Sequence, residues 1–206
     1  MNHNLHKVSA NRHSLVLAGF ALLITSILAL TQSMTGNRIE QNETIHRQQA
    51  LAQVLPSQWH DHSLEEYTVE LFDQTANRSR TCYIAKVKDR PVAAIVTGIA
   101  PDGYSGDIEL LVGILEDGTI TGVRVTKHSE TPGLGDAIEL QRSDWITSFD
   151  GKSLLTPAKS RWAVKKQNGD FDQFTGATIT PQSVINEVRN TLLFFEREKA
   201  DCLTYD

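Results

Sequence analysis

Residues 14–31 read SLVLAGFALLITSILALT, eighteen positions without a charge. A helix closes its backbone hydrogen bonds within one segment, which is what crossing lipid demands. Eighteen helical residues rise ~27 Å, close to the ~30 Å hydrocarbon core of a bilayer. A cleaved signal sequence has a shorter apolar run, ~7–15 residues, ending in a small-residue site. Only Ala29-Leu30-Thr31 faintly resembles such a site. The run therefore reads as an uncleaved transmembrane anchor over residues 14–34. Lys7 and Arg12 precede it and no acid does. The positive-inside rule then places a tail, residues 1–13, in the cytoplasm and the chain beyond residue 34 on the other side.

Residues 35–56 come next. From 37 to 55 they contain neither Gly nor Pro, and Pro56 is a helix stop. Ile39, Ile45, Leu51, Val54 and Leu55 form a loose helical stripe. Two readings stand: a helical stalk leading out of the membrane, or the first helix of the domain. Residues 57–206 are enough for one domain with a core of its own. The formal charge is −5; the first thirteen residues carry +2, which leaves −7 on the rest. An acidic body without a basic stripe excludes nucleic acid as the natural partner. The cysteines, Cys82 and Cys202, are 120 positions apart and belong to no metal-binding pattern. They are compatible with a disulfide in an oxidising compartment or with two small buried apolar residues.

From Cys82 to Val125 the periodicity turns to that of strands. TCYIAKV, PVAAIVTGI, GDIELLVGIL and TITGVRVTK are β-branched and partly alternating, separated by the turn signals KDRP, APDGYSG and EDGT. Asp117-Gly118 predicts a hairpin. Such short connections suit antiparallel strands and exclude parallel ones. The loop HSETPGLGD (128–136) leads into AIELQRSDWITSF, which reads as a helix, and SRWAVKK (160–166) reads as another strand. The last helix is expected over 181–198, with Thr180 as N-cap, Pro181 at the first position and Ile179 stapled to Val184. Val184, Ile185, Val188, Leu192 and Phe195 would line its inner face. The expected fold is α+β: an antiparallel twisted sheet with packed helices, behind one transmembrane helix.

Residues 169–183, GDFDQFTGATITPQS, form a hydroxyl-rich, Gly-containing loop running into that helix. A helix N-terminus presents unpaired N–H groups and partial positive charge, a natural phosphate site. Thr175, Thr178 and Thr180 are the hydroxyls near it, and Gly176 and Ala177 leave room for a ligand. A plain turn with a cap explains the same residues. In HSETPGLGD, Pro132 stiffens the chain and Gly133 and Gly135 permit close approach.

The run Asp172-Gln173-Phe174-Thr175-Gly176-Ala177-Thr178 resembles the flavinylation motif D-x-x-[S/T]-G-A-[S/T] of FMN-binding domains. Glu130-Thr131-Pro132-Gly133-Leu134-Gly135 resembles the E-T-P-G-L-G loop of the same domains. With APDGYSG, SDWI, WAVKK and DFDQFTGATITP, the resemblance extends over most of the chain to the G subunits of the Rnf electron-transport complex. The C subunit of the sodium-translocating NADH:quinone reductase is a relative that shares the flavin motif. Residues 57–81 match least well.

The resemblance implies FMN bound covalently through its phosphate to Thr178, installed in the periplasm by a flavin transferase that uses FAD and a divalent metal. It implies a single-pass subunit of a bacterial inner-membrane complex that passes electrons between other subunits and couples them to ion movement. Thr175, Gly176 and Ala177 would then surround the phosphate, and Asp172 would serve recognition by the transferase. Glu130, Thr131, Gly133 and Leu134 are candidate contacts to the ring or ribityl chain. Phe174, Tyr104 and Trp145 either flank the ring or belong to the core, and His128 either hydrogen-bonds or titrates at the site or is a structural or exposed residue. The competing readings are the equivalent quinone-reductase subunit and a membrane-anchored interaction module without flavin. A hydrolase lacks support: the chain has no G-x-S-x-G elbow.

Overall fold

The computed structural model describes residues 3–204, with side chains described for 13–33 and 45–204. Two compact units divide after His46. The side chains of Lys7, Arg12 and Ile39, on which the tail and stripe readings lean, lie outside the described residues.

Helix α1 runs His3–Val54. In the first unit His13–Ser33 is long and apolar enough to cross a membrane, and none of it is buried. Two of its hydroxyls are turned back onto the helix: Thr25 and Thr31 donate to the carbonyls of Ala21 and Ile27, both at 2.8 Å. That satisfies the hydroxyls without water.

In the second unit, five strands follow in strict sequence order: β1 Thr68–Asp73, β2 Arg78–Val87, β3 Arg90–Ala100, β4 Ile108–Leu115 and β5 Ile120–Lys127. Every neighbouring pair is antiparallel. Lys88 and Asp89 both have positive φ, the conformation of a tight two-residue hairpin. Asp117-Gly118 forms its hairpin as expected, with Thr119 N–H donating to Asp117 Oδ1 at 2.9 Å. Strand β1 lies in a stretch where the sequence pattern predicts no strand.

Alternation along the strands sorts the core into two faces. Cys82, Ala94, Val96, Leu110, Val112 and Ile114 point to one side. Tyr83, Ala85, Ala93, Ile95 and Leu111 point to the other, where Leu51, Val54 and Leu55 from the end of α1 pack on them. Thr121 Oγ1 donates to the Val54 carbonyl at 2.8 Å and ties that end to β5. So the end of α1, residues 47–54, packs on the sheet as part of the domain.

The opposite face is covered by α2, Ile179–Arg197, whose Val184, Ile185, Val188, Leu192 and Phe195 are all buried. A short α3, Lys199–Cys202, follows. Cys82 of β2 and Cys202 are joined in a disulfide with Cα atoms 5.6 Å apart.

Three local expectations are corrected. AIELQRSDWITSF makes two 3-10 turns, Gly135–Ile138 and Asp144–Phe149, with no continuous helix. Ser143 sits between them in extended conformation and accepts from Trp145 N–H at 3.1 Å; its short polar side chain competes with the helical ladder. SRWAVKK joins no sheet. It makes 3-10 turns at Lys159–Arg161 and Lys165–Gln167 and folds back through a single bridge, Val164 to Phe171. A cluster of Phe149, Trp162 and Phe171, with ring centroids 4.7–6.2 Å apart, takes the place of a ladder. Finally, α2 begins at Ile179, with Thr178 at the cap position. Ile179 is exposed, so it does not staple to the buried Val184.

Candidate functional site

The two stretches singled out in the sequence meet in space. Phe174-Thr175-Gly176-Ala177 is a tight turn in which Ala177 N–H donates to the Phe174 carbonyl at 3.3 Å. Gly176 has φ +86°, which a side-chain-bearing residue adopts only under strain. A Cβ there would lie 3.3 Å from Leu134 Cδ2, so the turn rests directly on the 130–136 loop. Thr180 Oγ1 donates to Glu130 Oε2 at 2.5 Å and makes the second link.

The start of α2 is open. Thr178 occupies the cap position in a helical conformation and makes no side-chain cap bond. Thr180, expected as the cap, spends its hydroxyl on Glu130. Among the described residues neither Thr178 nor Thr180 caps the first-turn N–H groups, and a helix of nineteen residues carries partial positive charge at its N-terminus. Beside this end lie Thr175 and Gly176, with Ala177 and Thr178 half-buried.

An apolar rim adjoins the hydroxyl. Leu134 is 45 % exposed and Ile179 52 %. Thr131 and Gly133 are exposed on the same loop, which is shaped from inside: Leu134 N–H and Gly135 N–H both donate to the Thr131 carbonyl at 3.1 Å. Gly133 N–H donates to Asp136 Oδ1 at 2.7 Å. Asp136 is buried and unforeseen; its place three residues past Gly133 was the available signal.

Glu130 differs from its loop neighbours. It is 5 % exposed, with both carboxylate oxygens turned into the protein. Asp172 is the reverse: its carboxylate is exposed, 2.6 Å from Lys165 Nζ. Its backbone carbonyl is fixed from behind by Trp145 Nε1–H at 2.7 Å. Trp145 is buried against Phe149 and Phe174, so of the three candidate aromatics it belongs to the core and Phe174 packs on it at 5.1 Å. Tyr104 is 70 % exposed, on the turn whose Ser105 N–H reaches Glu130. His128 is structural: its Nδ1 accepts the Glu130 N–H at 3.0 Å, which leaves the ring proton on Nε2, 2.6 Å from Glu139 Oε1.

This geometry fits a phosphate-bearing planar cofactor: a hydroxyl, an uncapped helix start for the anion, and exposed apolar side chains for a ring. Comparison with known proteins agrees. Residues 103–193 match the FMN-binding domain family and residues 1–54 match the RnfG N-terminal region. The chain is 46 % identical over 185 residues to the G subunit of the ion-translocating oxidoreductase complex of Escherichia coli (strain K12), covering 89 % of each chain. The corresponding G subunit of Salmonella typhi is 48 % identical over 188 residues, 90 % of each. That of Shewanella piezotolerans is 39 % identical over 201 residues, 96 % of this chain and 95 % of its own. The chain belongs to the G subunits of the Rnf ion-translocating oxidoreductase complexes, and it carries their FMN-binding domain.

Proposed function

We propose that the chain is an electron-carrier subunit whose FMN is esterified through its phosphate to Thr178. The observation that carries the reading is the Thr178 hydroxyl, uncommitted to capping, at the open N-terminus of α2. A flavin transferase would form the new P–O bond on Thr178 Oγ1. The pyrophosphate bond of FAD breaks, AMP leaves and the hydroxyl proton is lost. When bound, the flavin supplies reversible electron uptake and release.

The chain's own residues do the rest. The α2 N-terminus offsets the charge of the phosphodiester. The Thr175-Gly176-Ala177 turn keeps bulk away from it. Leu134 and Ile179 offer apolar surface to the ring, and Thr131, Gly133 and Tyr104 lie on the loops around it. Asp172, exposed and held from behind by Trp145, is presented for recognition by the transferase.

His13–Ser33 anchors the subunit in the membrane, with the residues before it cytoplasmic and the domain in the periplasm of a bacterial inner membrane. The Cys82–Cys202 disulfide supports that side, since disulfides persist in oxidising compartments. The other subunits of the complex are then its electron partners.

The test is the intact mass of the full chain, co-expressed with the flavin transferase and denatured before measurement. One FMN less one water, mapped by fragmentation to Thr178 and absent from Thr178→Ala, is expected. An unmodified wild-type chain, with the transferase active on a control substrate, would favour the interaction module. Modification mapped to Thr175 would move the attachment site.

A further inference from the structure

We propose that Glu130 is a positioning residue, whose buried carboxylate locks the loops of the flavin site so that Thr178 and Leu134 are held at a fixed separation. The inference rests on the carrier reading above. Three chain segments, distant in sequence, converge on this one side chain. Ser105 N–H donates to Oε1 at 2.9 Å and Thr180 Oγ1 to Oε2 at 2.5 Å. The residue's own N–H is held by His128 Nδ1 at 3.0 Å, and His128 is held in turn by Glu139. The turn at 103–105, the loop at 128–136 and the first turn of α2 thus share one fixed point.

The packing around the carboxylate is as specific as the bonding. A Cβ on Gly103 would come within 2.9 Å of Glu130 Oε1, and one on Gly135 within 2.7 Å of Oε2. At Gly135 the Glu130 side chain is the nearest obstacle, whereas at Gly103 the Gly106 carbonyl, 2.2 Å from such a Cβ, already demands glycine. No lysine, arginine or histidine forms an ion pair with Glu130 among the described residues. Its oxygens are met by N–H and O–H donors alone, from the 103–105 turn and the first turn of α2. A buried carboxylate is costly unless its oxygens are bonded, so once formed this arrangement resists displacement.

The bonding pattern predicts which substitutions preserve it. Glutamine keeps the shape: its carbonyl accepts from Ser105, and its amide donates to Thr180, whose hydroxyl can rotate to accept. Alanine leaves both donors unpaired and an empty space between the loops. Thr180→Val removes one link and keeps the volume. Since Glu130 is buried, any effect on flavin attachment travels through geometry, where displacements near 1 Å cost on the order of a hundredfold in rate.

The experiment follows covalent flavin fluorescence of the full chain over time after addition of flavin transferase, FAD and divalent metal. The same samples are read by circular dichroism and by the visible spectrum of the bound flavin. E130A and T180V are expected to slow attachment by roughly tenfold or more and to alter the flavin band. E130Q is expected to stay within about threefold of wild type, because it keeps both bonds. If E130A does not fold, T180V against E130Q decides the matter. Wild-type rates and spectra in T180V overturn the proposal. So does an E130Q as defective as T180V, which would make the charge, not the bracing, the active property. Wild-type chain that gains no flavin while a control substrate does would instead sink the carrier reading itself.

Discussion

Helix α2 is gripped by buried carboxylates at both ends, and the two grips are built differently. At its far half, Arg80 is inserted beneath the helix. It donates to Asp73 and Glu187, each at 2.8 Å, and to Thr191 at 3.1 Å. Arg197 reaches the other Asp73 oxygen at 2.9 Å. Two guanidinium groups meet two carboxylates there, and the Cys82–Cys202 disulfide closes the same end. At the near end Glu130 has only N–H and O–H donors. The far grip is electrically closed and serves the fold. The near grip uses no cation, and it draws Thr180 away from capping, so neither Thr178 nor Thr180 caps the helix start.

The sharpest way to break this comparison is to remove the far grip. Arg80→Ala leaves Asp73 and Glu187 buried without their central cation, and the expected loss is about 3–5 kcal/mol of unfolding free energy. Urea unfolding of the chain in detergent measures it. A loss below ~1 kcal/mol would mean that the network is decorative, since exposed ion pairs contribute only that much.

Next in size is the disulfide. Cys202→Ser, or reduction of the wild type, is expected to cost about 2–5 kcal/mol. Identical melting of mutant and oxidised wild type would show that the bond does not form in the mature protein.

The pH dependence sharpens the contrast further. Burial pushes the Asp73 carboxyl up, but the hydrogen bond and attraction from Arg80 outweigh it and hold its pKa below the ordinary carboxylate value. Its stabilisation is complete above the unfolded value and is lost as pH falls through the depressed one. For Glu187 burial prevails over the same arginine and the pKa is raised. Its contribution is complete below the unfolded value and is lost as pH rises through the raised one. Asp73→Asn should therefore flatten the acid limb of the stability profile, and Glu187→Gln the stretch above ordinary carboxylate pKa. Parallel profiles for all three proteins would refute this assignment.

The smallest stability effect belongs to the near end. Thr178→Ala removes a half-buried hydroxyl that caps nothing, so unfolding free energy should shift by less than ~0.5 kcal/mol. A larger shift would give Thr178 a structural role and weaken the division between the two grips.

Much of this was legible in the residues. The anchor is announced by an uninterrupted apolar run, because lipid admits few alternatives. Strands β2 to β5 are announced by alternation and turn residues, and the inner face of α2 by its spacing. Where local signals were weak, they misled. SRWAVKK alternates like a strand, yet Trp162 and Phe171 draw it into an aromatic cluster in place of a ladder. AIELQRSDWITSF has helical spacing, yet Ser143 breaks it. Strand β1 alternates through Val69 and Leu71, but it is short, and the turn after it, closed by Asp73 and Asn77, contains neither Gly nor Pro.

By itself the sequence determined the membrane anchor, the antiparallel class of the sheet and the stretch that carries Thr178. Each follows from near-neighbour rules of hydropathy, periodicity or motif. Only the tertiary structure decided that Glu130 turns inward while Asp172 turns out, that Thr180 serves Glu130 and leaves the helix start open, and that Cys82 meets Cys202. These are outcomes of packing between segments 25 to 120 residues apart. No local pattern encodes which buried polar group will satisfy which distant partner; the closing of the core sets that pairing.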